Sequence, residues 1–303
     1  MLRTALLLLS RQSWLRRLVQ NSSLAEPLTR RFIAGHTLSQ ELSVCVRLKA
    51  ERIMATLDHL GENVSSVEES HTARDSYLSA LDGIAQIQLP ATVSVKLTQL
   101  GLDLGTDICL ANCRELVQRA KTYGTSVEID MESSEYIDRT LSVVHAMHQE
   151  FACVRAVVQA CLYRTADDVE DLCRHSIPVR LVKGAYREPP SVAWPKKRDV
   201  DASFVRLMRK LLGGGTYPAI ATHDEAIIEQ ALAHVNESGY SADRFEFQML
   251  YGIRRDLQRR LIHDGFRLRL YVPYGDAWYP YFMRRLAERP ANLLFILRNL
   301  IRN

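Results

Sequence analysis

The 303-residue sequence lacks the features that mark several large classes of protein. Lysine and arginine outnumber aspartate and glutamate by only 39 to 35, and no basic block away from the termini is interleaved with aromatic residues, so nucleic acid is not an expected partner. No apolar run is long enough to cross a bilayer. The six cysteines form no C-x-x-C pair, which argues against a zinc knuckle or a disulfide framework and indicates reduced thiols.

Several motifs that identify common enzyme classes are also missing. No G-x-G-x-x-G follows the first predicted strand, which counts against a Rossmann domain. No G-x-S-x-G occurs, and no cysteine stands at the polar end of a strand beside a base, so no nucleophile is evident. A metal site at the strand ends would require Asp130, His223 and Asp224 to converge without a histidine pair at ligand spacing, so no metal is expected.

An alternation of apolar, β-branched-rich runs with helical patterns occupies the chain after about Lys49. Eight strand-then-helix units follow one another, which implies parallel strands buried on both faces. The number eight favours closure into a (β/α)8 barrel of the TIM type, although an open sheet has the same spacing. We therefore predict an α/β fold with an N-terminal helical extension over residues 1–49 and a catalytic barrel domain over residues 50–303.

The predicted boundaries follow the apolar runs and the helical patterns between them. The strands are Arg52–Asp58, Thr92–Thr98, Ser126–Met131, Val154–Leu162, Pro178–Gly184, Tyr217–His223, Phe245–Leu250 and Leu268–Val272. The helices lie near Thr72–Ile87, Asp107–Tyr123, Ser134–Glu150, Thr165–Arg174, Val200–Leu212, Glu225–Glu237, Arg254–His263 and Trp278–Glu288.

The first residues differ in composition from the rest. Residues Met1–Gln20 contain four arginines and a short apolar run, Ala5–Leu9, and the first acidic residue is Glu26. Such a segment is typical of a mitochondrial transit peptide or of an amphipathic helix on a membrane surface. A helix packed against the domain is an equally good interpretation.

Polar residues stand at the ends of nearly all the predicted strands, where catalytic groups of a barrel lie. Counting Lys96, Arg180 and Lys183 with two arginines near the C-terminus, the mouth is expected to be net positive and to suit an anionic substrate or a phosphate-bearing cofactor. A lyase with a Schiff base on Lys96 or Lys183, and a barrel that only binds a small anion, are alternative hypotheses. The strand-end candidates are Asp58, Lys96, Asp130, Gln159, Arg180, Lys183, Thr222, His223, Gln248 and Tyr271.

The last predicted helix carries a paired arginine motif. It follows a turn at Pro273–Gly275, and Pro290 ends its apolar pattern. Arg284 and Arg285 are adjacent, and Glu288 lies one turn further on, within reach of either. Two guanidinium groups suit bidentate binding of a carboxylate or phosphate, although ordinary salt bridges on a solvated helix give the same pattern.

Seven motifs occur in the order of the predicted strands and resemble those of the proline dehydrogenase family, in its monofunctional bacterial form. They are VSVKLTQLG around Lys96, VEID at Asp130, VVQACL at Gln159, VRLVKGAY over Val179–Tyr186, ATHD over Ala221–Asp224, FQML ending at Leu250, and RLYVPYG with RRLAERPAN near the C-terminus. The resemblance covers essentially Ala34–Asn303.

The resemblance implies FAD in the barrel mouth and oxidation of L-proline to Δ1-pyrroline-5-carboxylate by hydride transfer to the flavin. Electrons would pass to a membrane quinone, in the first step of proline catabolism to glutamate. A separate pyrroline-5-carboxylate dehydrogenase is an expected partner, because we expect neither a helix-turn-helix segment nor an aldehyde dehydrogenase domain. The expected location is the cytoplasm, with peripheral contact at the inner face of the plasma membrane, and a mitochondrion is the alternative.

The resemblance also assigns residues. Lys96, Arg284 and Arg285 would bind the proline carboxylate, with Glu288 bonded to them. Tyr271 and Leu250 would wall the proline ring, and Tyr271 favours proline over hydroxyproline. Asp130 would support the site by hydrogen bonding. The positions implied for FAD are Gln159, Arg180, Lys183, Gly184, Ala185, Tyr186, Thr222, His223, Gln248, Arg285 and Glu288.

Overall fold

Eight parallel strands close into a barrel in chain order, with β8 paired to β1. The structure, a computed structural model, describes residues 31–61, 63–186, 188–279, 281 and 283. The pairing of β8 with β1 closes the sheet, which the spacing of the apolar runs could not establish. The predicted (β/α)8 fold is therefore confirmed. The strands are β1 Met54–His59, β2 Ala91–Val95, β3 Val127–Ile129, β4 Val154–Gln159, β5 Val179–Val182, β6 Ala219–Ala221, β7 Glu246–Leu250 and β8 Leu268–Tyr274.

Helices cover the outside of the barrel, as crossovers between parallel strands require. The first precedes β1 and starts with a capping box, in which Thr37 and Gln40 bond each other's backbone. No helix among the described residues is long and apolar enough to cross a membrane. The helices are α1 Leu38–Ala50, α2 Val67–Gln86, α3 Thr106–Thr122, α4 Ile137–Phe151, α5 Thr165–Arg174, α6 Lys197–Gly214, α7 Glu225–Ser238 and α8 Arg255–His263, and a 3-10 turn spans Ser134–Tyr136.

Several boundaries differ from those predicted. Helix α2 begins five residues earlier than the apolar pattern indicated, because Ser66 caps it by accepting from the N–H of Glu69. The predicted strand Tyr217–His223 is reduced to Ala219–Ala221, and its start is later because Tyr217 has a positive φ of 42°. Within the predicted N-terminal extension the described residues contain α1. Its first thirty residues, and most of the predicted helix Trp278–Glu288, lie outside the described part of the chain.

The main apolar core lies between the strands and the helices. All residues of β2 and of β4 are buried, as expected for strands covered on both faces. A second apolar cluster lies at the ends of β1, β7 and β8, where Leu60, Ile253 and Trp278 pack with Phe32. This cluster closes one side of the barrel mouth.

The barrel interior contains a buried layer of charged and polar side chains, where aliphatic layers are usual. Glu128 on β3 accepts hydrogen bonds from Thr92 on β2 at 2.9 Å and from Gln248 on β7 at 3.2 Å. Its carboxylate also lies 3.1 Å from Arg180 on β5. Because these partners come from different sides of the barrel, Glu128 points to its axis.

A second carboxylate, Glu246 at the start of β7, lies in the same layer. Its Oε1 lies 2.7 Å from Nη1 of Arg155 and 2.8 Å from Nε of Arg269. Burial would raise the pKa of Glu128 and of Glu246, but the surrounding arginines outweigh burial and lower both. The interior therefore contains ionised pairs that satisfy one another.

Candidate active site

A cluster of five side chains occupies the carboxyl ends of the strands, and Lys96 is at its centre. Its Nζ lies 3.3 Å from Oδ1 of Asp58, 3.4 Å from Oδ2 of Asp130 and 3.5 Å from the hydroxyl of Tyr271. Lys96 follows β2, Asp58 belongs to β1, Asp130 follows β3 and Tyr271 belongs to β8. Four elements that are distant in sequence thus fix one ammonium group.

Asp130 joins Lys96 to the fifth member, Arg180 on β5. It accepts hydrogen bonds from the hydroxyls of Tyr271 at 2.9 Å and Ser94 at 2.7 Å, and it forms an ion pair with Nη2 of Arg180. Burial would raise the pKa of Asp130, but the charges of Arg180 and Lys96 outweigh burial and lower it. Asp130 is therefore an anion that organises two cations and a phenol.

Arg180 is 4% exposed, and besides Asp130 it has partners in the charged layer of the barrel interior. Its Nη1 lies 3.1 Å from Glu128 and 3.3 Å from Oε1 of Gln248, and its guanidinium stacks 5.4 Å from the ring centre of Tyr271. Burial alone would lower its pKa, but Asp130 and Glu128 raise it. A guanidinium fixed in this way is a permanent charge beneath the mouth.

Two further groups in the cluster have shifted pKa values. Burial raises the pKa of Asp58, and the charge of Lys96 only partly opposes this effect. Burial, together with the charges of Asp130 and Asp58, also raises the pKa of Tyr271, so its hydroxyl remains a hydrogen-bond donor. Asp58 was among the strand-end candidates, but the resemblance assigned it no role.

Gly184, directly after β5 and Lys183, makes a close backbone approach to β4. Its φ is +110°, and a Cβ at this position would collide with Sγ of Cys161 and lie 3.1 Å from Oε1 of Gln159. Only glycine therefore fits this position without strain. The amide Nε2 of Gln159 donates to the backbone oxygen of Glu132 at 2.8 Å, which fixes the direction of its Oε1.

The next strand ends hold the remaining predicted residues. Lys183 lies 2.5 Å from Asp201 and 2.8 Å from Asp224, and the hydroxyl of Thr222 accepts from the N–H of Asp224 at 3.1 Å. The ring of His223 accepts the backbone N–H of Leu250 at 2.8 Å through Nε2, so the ring's proton is on Nδ1. His223 thus joins the ends of β6 and β7.

Three residues at the mouth, Arg180, Gly184 and Tyr186, have features that suit a flat, polar cofactor. Among the described residues, Nε of Arg180 is buried without a hydrogen-bond partner, so it can donate to an acceptor bound in the mouth. The absence of a side chain at Gly184 lets the chain after β5 pack against Cys161 and Gln159, which fixes the position of this backbone at the mouth. Tyr186 is 36% exposed beside this position and offers an aromatic face. The residues present therefore fit a flavin.

The charge expected for the mouth needs correction. The sequence count omitted Asp58, Asp201 and Asp224, each of which pairs with Lys96 or Lys183. Within the described residues the cations are matched by acids, so the mouth is not net positive there. Arg284, Arg285 and Glu288 lie outside the described residues.

Those residues assigned to proline or FAD that the structure describes lie at one end of the barrel. Other residues, which were not predicted from the sequence, contact them there. Ser94 and Glu128 each precede a predicted residue by two positions, which places them on the same face of their strands. That spacing is the signal that could have identified them. Asp201 on α6 gave no such signal, because its contact with Lys183 depends on how α6 packs.

Comparison with known proteins identifies the family. A family model described as proline dehydrogenase matches residues 42–298. Proline dehydrogenase 1 of Bacillus subtilis (strain 168) is 42% identical over 273 residues, which cover 90% of this chain and 90% of that protein. The proline dehydrogenase of Deinococcus radiodurans is 38% identical over 280 residues, which cover 91% and 90% of the two chains.

A solved structure extends the comparison to the fold. Proline utilization A from Bdellovibrio bacteriovorus, inactivated by N-propargylglycine, matches with a TM-score of 0.81 and 25% sequence identity. The match covers 87% of this chain and 33% of the other, so this chain spans about a third of that protein's length. The family predicted from the strand-end motifs is confirmed, and the chain is an enzyme that belongs to the proline dehydrogenase family.

Proposed function

We propose that this chain uses FAD to oxidise L-proline to Δ1-pyrroline-5-carboxylate at the mouth of the barrel. The observation that carries the proposal is the position of Lys96, which is fixed between Asp58 and Asp130 beside the hydroxyl of Tyr271. A fixed ammonium next to an aromatic ring suits a small amino acid that has a carboxylate and an apolar ring. Membership of the proline dehydrogenase family supports proline as that amino acid.

The proline-binding residues follow from this arrangement. Lys96 binds the carboxylate, and Tyr271 and Leu250 lie against the ring. Arg284 and Arg285, bonded to Glu288, complete the carboxylate site, and this part of the proposal rests on the sequence motif. Positioning of this kind lowers the entropy cost of bringing the reacting carbon to its acceptor.

The cofactor-binding residues surround the ends of β4 to β7. FAD, when bound, supplies a two-electron acceptor for the hydride on the carbon next to the proline nitrogen. Arg180, which is buried and charged, would stabilise negative charge on a group bound next to it, and its Nε would donate a hydrogen bond to that group. The proposed set is Gln159, Arg180, Lys183, Gly184, Ala185, Tyr186, Thr222, His223 and Gln248, with Arg285 and Glu288 added from the sequence motif.

The electron acceptor and the cellular setting are further parts of the proposal. A membrane quinone takes the electrons, and a separate pyrroline-5-carboxylate dehydrogenase consumes the product. The enzyme works in the cytoplasm, or alternatively in a mitochondrion, with peripheral contact to the membrane that holds the quinone. The segments proposed for this contact, Met1–Gln20 and Leu293–Ile301, lie outside the described residues. Proline-dependent reduction of a soluble quinone analogue tests the choice of acceptor.

The arrangement of the lysines argues against the lyase hypothesis. Lys96 donates to Asp58 and Asp130, and Lys183 donates to Asp201 and Asp224. A Schiff-base mechanism requires a neutral amine with a free lone pair. An ammonium group in an ion pair does not offer one, although it still attracts a substrate carboxylate.

The absorption spectrum of the purified protein tests the proposal directly. We expect flavin bands in the visible range that bleach when L-proline is added without oxygen. A protein that remains colourless after incubation with FAD would refute the flavin, and bands that persist with proline would refute the substrate. Borohydride trapping of substrate on Lys96 or Lys183 would restore the lyase hypothesis.

A further inference from the structure

A group of ionisable side chains on the outer ring of helices plays no part in the proposed reaction. His145 on α4 faces Asp171 on α5, and His175 follows one turn later at the end of α5. One potential ligand atom from each of the three lies within 4.8 Å of the others. His175 follows α5 and precedes β5, so it lies at the amino end of that strand, whereas the residues assigned to proline and FAD lie at the carboxyl ends of the strands.

The hydrogen bonds of this group already resemble those of a metal site. Nε2 of His145 lies 2.8 Å from Oδ2 of Asp171. Nδ1 of His175 lies 2.9 Å from the backbone oxygen of Asp171 and therefore carries the ring proton in the neutral form. Nε2 of His175 then keeps its lone pair. Donation from the second ring nitrogen to a backbone carbonyl is the usual way in which a ligating histidine is oriented.

We propose that His145, Asp171 and His175 bind one divalent transition-metal ion between α4 and α5, and that Zn²⁺ is the ion best suited. Two imidazoles and one carboxylate are ligands that Zn²⁺ accepts, whereas Mg²⁺ and Ca²⁺ prefer oxygen ligands alone. The side chains are 32%, 37% and 54% exposed, so solvent can occupy the fourth position of a tetrahedral ion.

The distances are compatible with such an ion after small rotations. Zn–N and Zn–O bonds of about 2.1 Å place neighbouring ligand atoms of a tetrahedral site roughly 3.4 Å apart. The 2.8 Å contact between His145 and Asp171 must open slightly. The ring of His175, whose Nδ1 lies 3.6 Å from Oδ1 of Asp171, must turn its Nε2 towards the ion. The two imidazole rings, 4.8 Å apart and nearly perpendicular, are exposed enough to make these adjustments.

A third imidazole supports the assignment. His148 lies one helical turn after His145, and its Nδ1 is buried with no hydrogen-bond partner among the described residues. His148 is therefore a further imidazole one turn along α4 from His145.

The positive charge of Arg174, next to Asp171, should weaken the binding of a metal ion and can be removed by mutation. Nη2 of Arg174 lies 3.0 Å from Oδ1 of Asp171, the oxygen that does not face His145. Arg174 leaves Oδ2 available, but its positive charge weakens the binding of a second cation nearby. Removing this charge should therefore strengthen metal binding, whereas a site elsewhere on the protein would not respond.

The experiment is a calorimetric titration of the flavin-loaded full chain, without a polyhistidine tag, with Zn²⁺ alone. We expect one ion per chain, and affinity lowered by about tenfold or more in His145→Gln and in His175→Gln. Arg174→Gln should bind several-fold more tightly. His263→Gln is the matched control, because His263 is also an exposed histidine beside an aspartate, on the distant helix α8.

Thermal denaturation provides a second readout. Zn²⁺ should raise the Tm of the wild type and of His263→Gln, since an ion that binds only the folded state stabilises it, and it should not raise the Tm of the two ligand variants. Metal-free Tm values and proline oxidation should be alike in all four proteins, which confirms folding. Absence of Zn²⁺ binding in the wild type, or unchanged binding in both ligand variants, would overturn the proposal and leave the proposed reaction unaffected.

Discussion

At the scale of single residues, Asp58 is a strand-end candidate to which the sequence assigned no role. Its carboxyl is 1% exposed and lies 3.3 Å from Nζ of Lys96, the proposed ligand of the substrate carboxylate. Asp130 shares the same ammonium at 3.4 Å but also engages Arg180. Asp58 therefore has the more specific role of setting the direction of Lys96.

The variant Asp58→Asn should impair proline oxidation while leaving flavin bound. A charged hydrogen bond contributes roughly 1.5–3 kcal/mol, so kcat/KM for proline should fall by about tenfold to a hundredfold. Steady-state kinetics with the flavin absorbance of the purified variant measure both effects. Asp264→Asn is the control, because Asp264 is exposed at the opposite end of the barrel. Unchanged kinetics in Asp58→Asn would remove Asp58 from the site.

Gly184 provides a second prediction at this scale. Alanine at this position would bring a Cβ against Sγ of Cys161 at a φ of +110°, so Gly184→Ala should lose much of its FAD during dialysis. The ratio of flavin to protein absorbance measures the loss.

Two matched variants separate collision from backbone strain. Gly184→Ala combined with Cys161→Ala should regain part of the flavin, because the collision is removed and the strain remains. Gly239→Ala has a φ of +62° with no atom within 4 Å of the added Cβ, and it should retain all of its flavin. Full flavin content in Gly184→Ala would show that the cofactor does not depend on this close approach.

At the scale of elements, helix α1 places the buried carboxyl of Glu41 near Asp58. Glu41 is 0% exposed, and neither of its oxygens has a hydrogen-bond partner of good geometry among the described residues. Burial raises the pKa of Glu41, the charge of Asp58 raises it further, and a nearby backbone N–H of Asp58 opposes this only weakly. Docking of α1 is therefore coupled to protonation of this group.

This coupling predicts how Glu41→Gln changes stability with pH. A carboxyl with a raised folded-state pKa contributes stability that is fully present below the unfolded pKa, about 4.3, and is lost as pH rises through the folded pKa. Glutamine does not ionise, so the Tm advantage of the variant over wild type should widen from about pH 5 to about pH 8. Scanning calorimetry measures this, with the exposed Glu51→Gln as control. A constant difference across this range would contradict the prediction.

The elements also show which parts of the fold sequence could predict. Apolar periodicity found all eight strands, because each is a short buried run whose pattern is local. Strand ends were less accurate, since a run such as Tyr217–His223 continues past the last ladder hydrogen bond. The partners of Lys183 escaped prediction, because Asp201 reaches it only through the packing of α6 and Asp224 only through the pairing of β6 with β5.

At the scale of the whole molecule, the buried carboxylates of the barrel interior make the stability of the fold depend on pH in the acidic range. Glu128 and Glu246 have lowered pKa values, because the charges of the buried arginines outweigh the effect of burial. At pH values between the folded-state and the unfolded-state pKa of these carboxyls, the folded state binds fewer protons than the unfolded state. The stability that these carboxylates contribute is therefore present above about pH 4 and is lost as pH falls through their folded-state pKa values.

The variant Glu246→Gln should be strongly destabilised at neutral pH. It leaves Arg155 and Arg269 without their shared carboxylate, and breaking a buried ion pair costs about 3–5 kcal/mol. Urea unfolding measures the loss, which should shrink as the pH is lowered below about 4. Glu237→Gln, at an exposed position on α7, should behave as wild type. A loss of stability in Glu246→Gln that does not depend on pH would refute the electrostatic explanation.

The pairing of β1 with β8 has a consequence for synthesis of the chain. Six residue pairs join Met54–His59 to Arg269–Tyr274, so the last strand seals the ring that the first began. During translation the ribosome releases Asp58 and Lys96 long before Tyr271. The site that brings these three together is therefore incomplete until nearly the whole polypeptide has emerged, and a nascent or prematurely terminated chain lacks it.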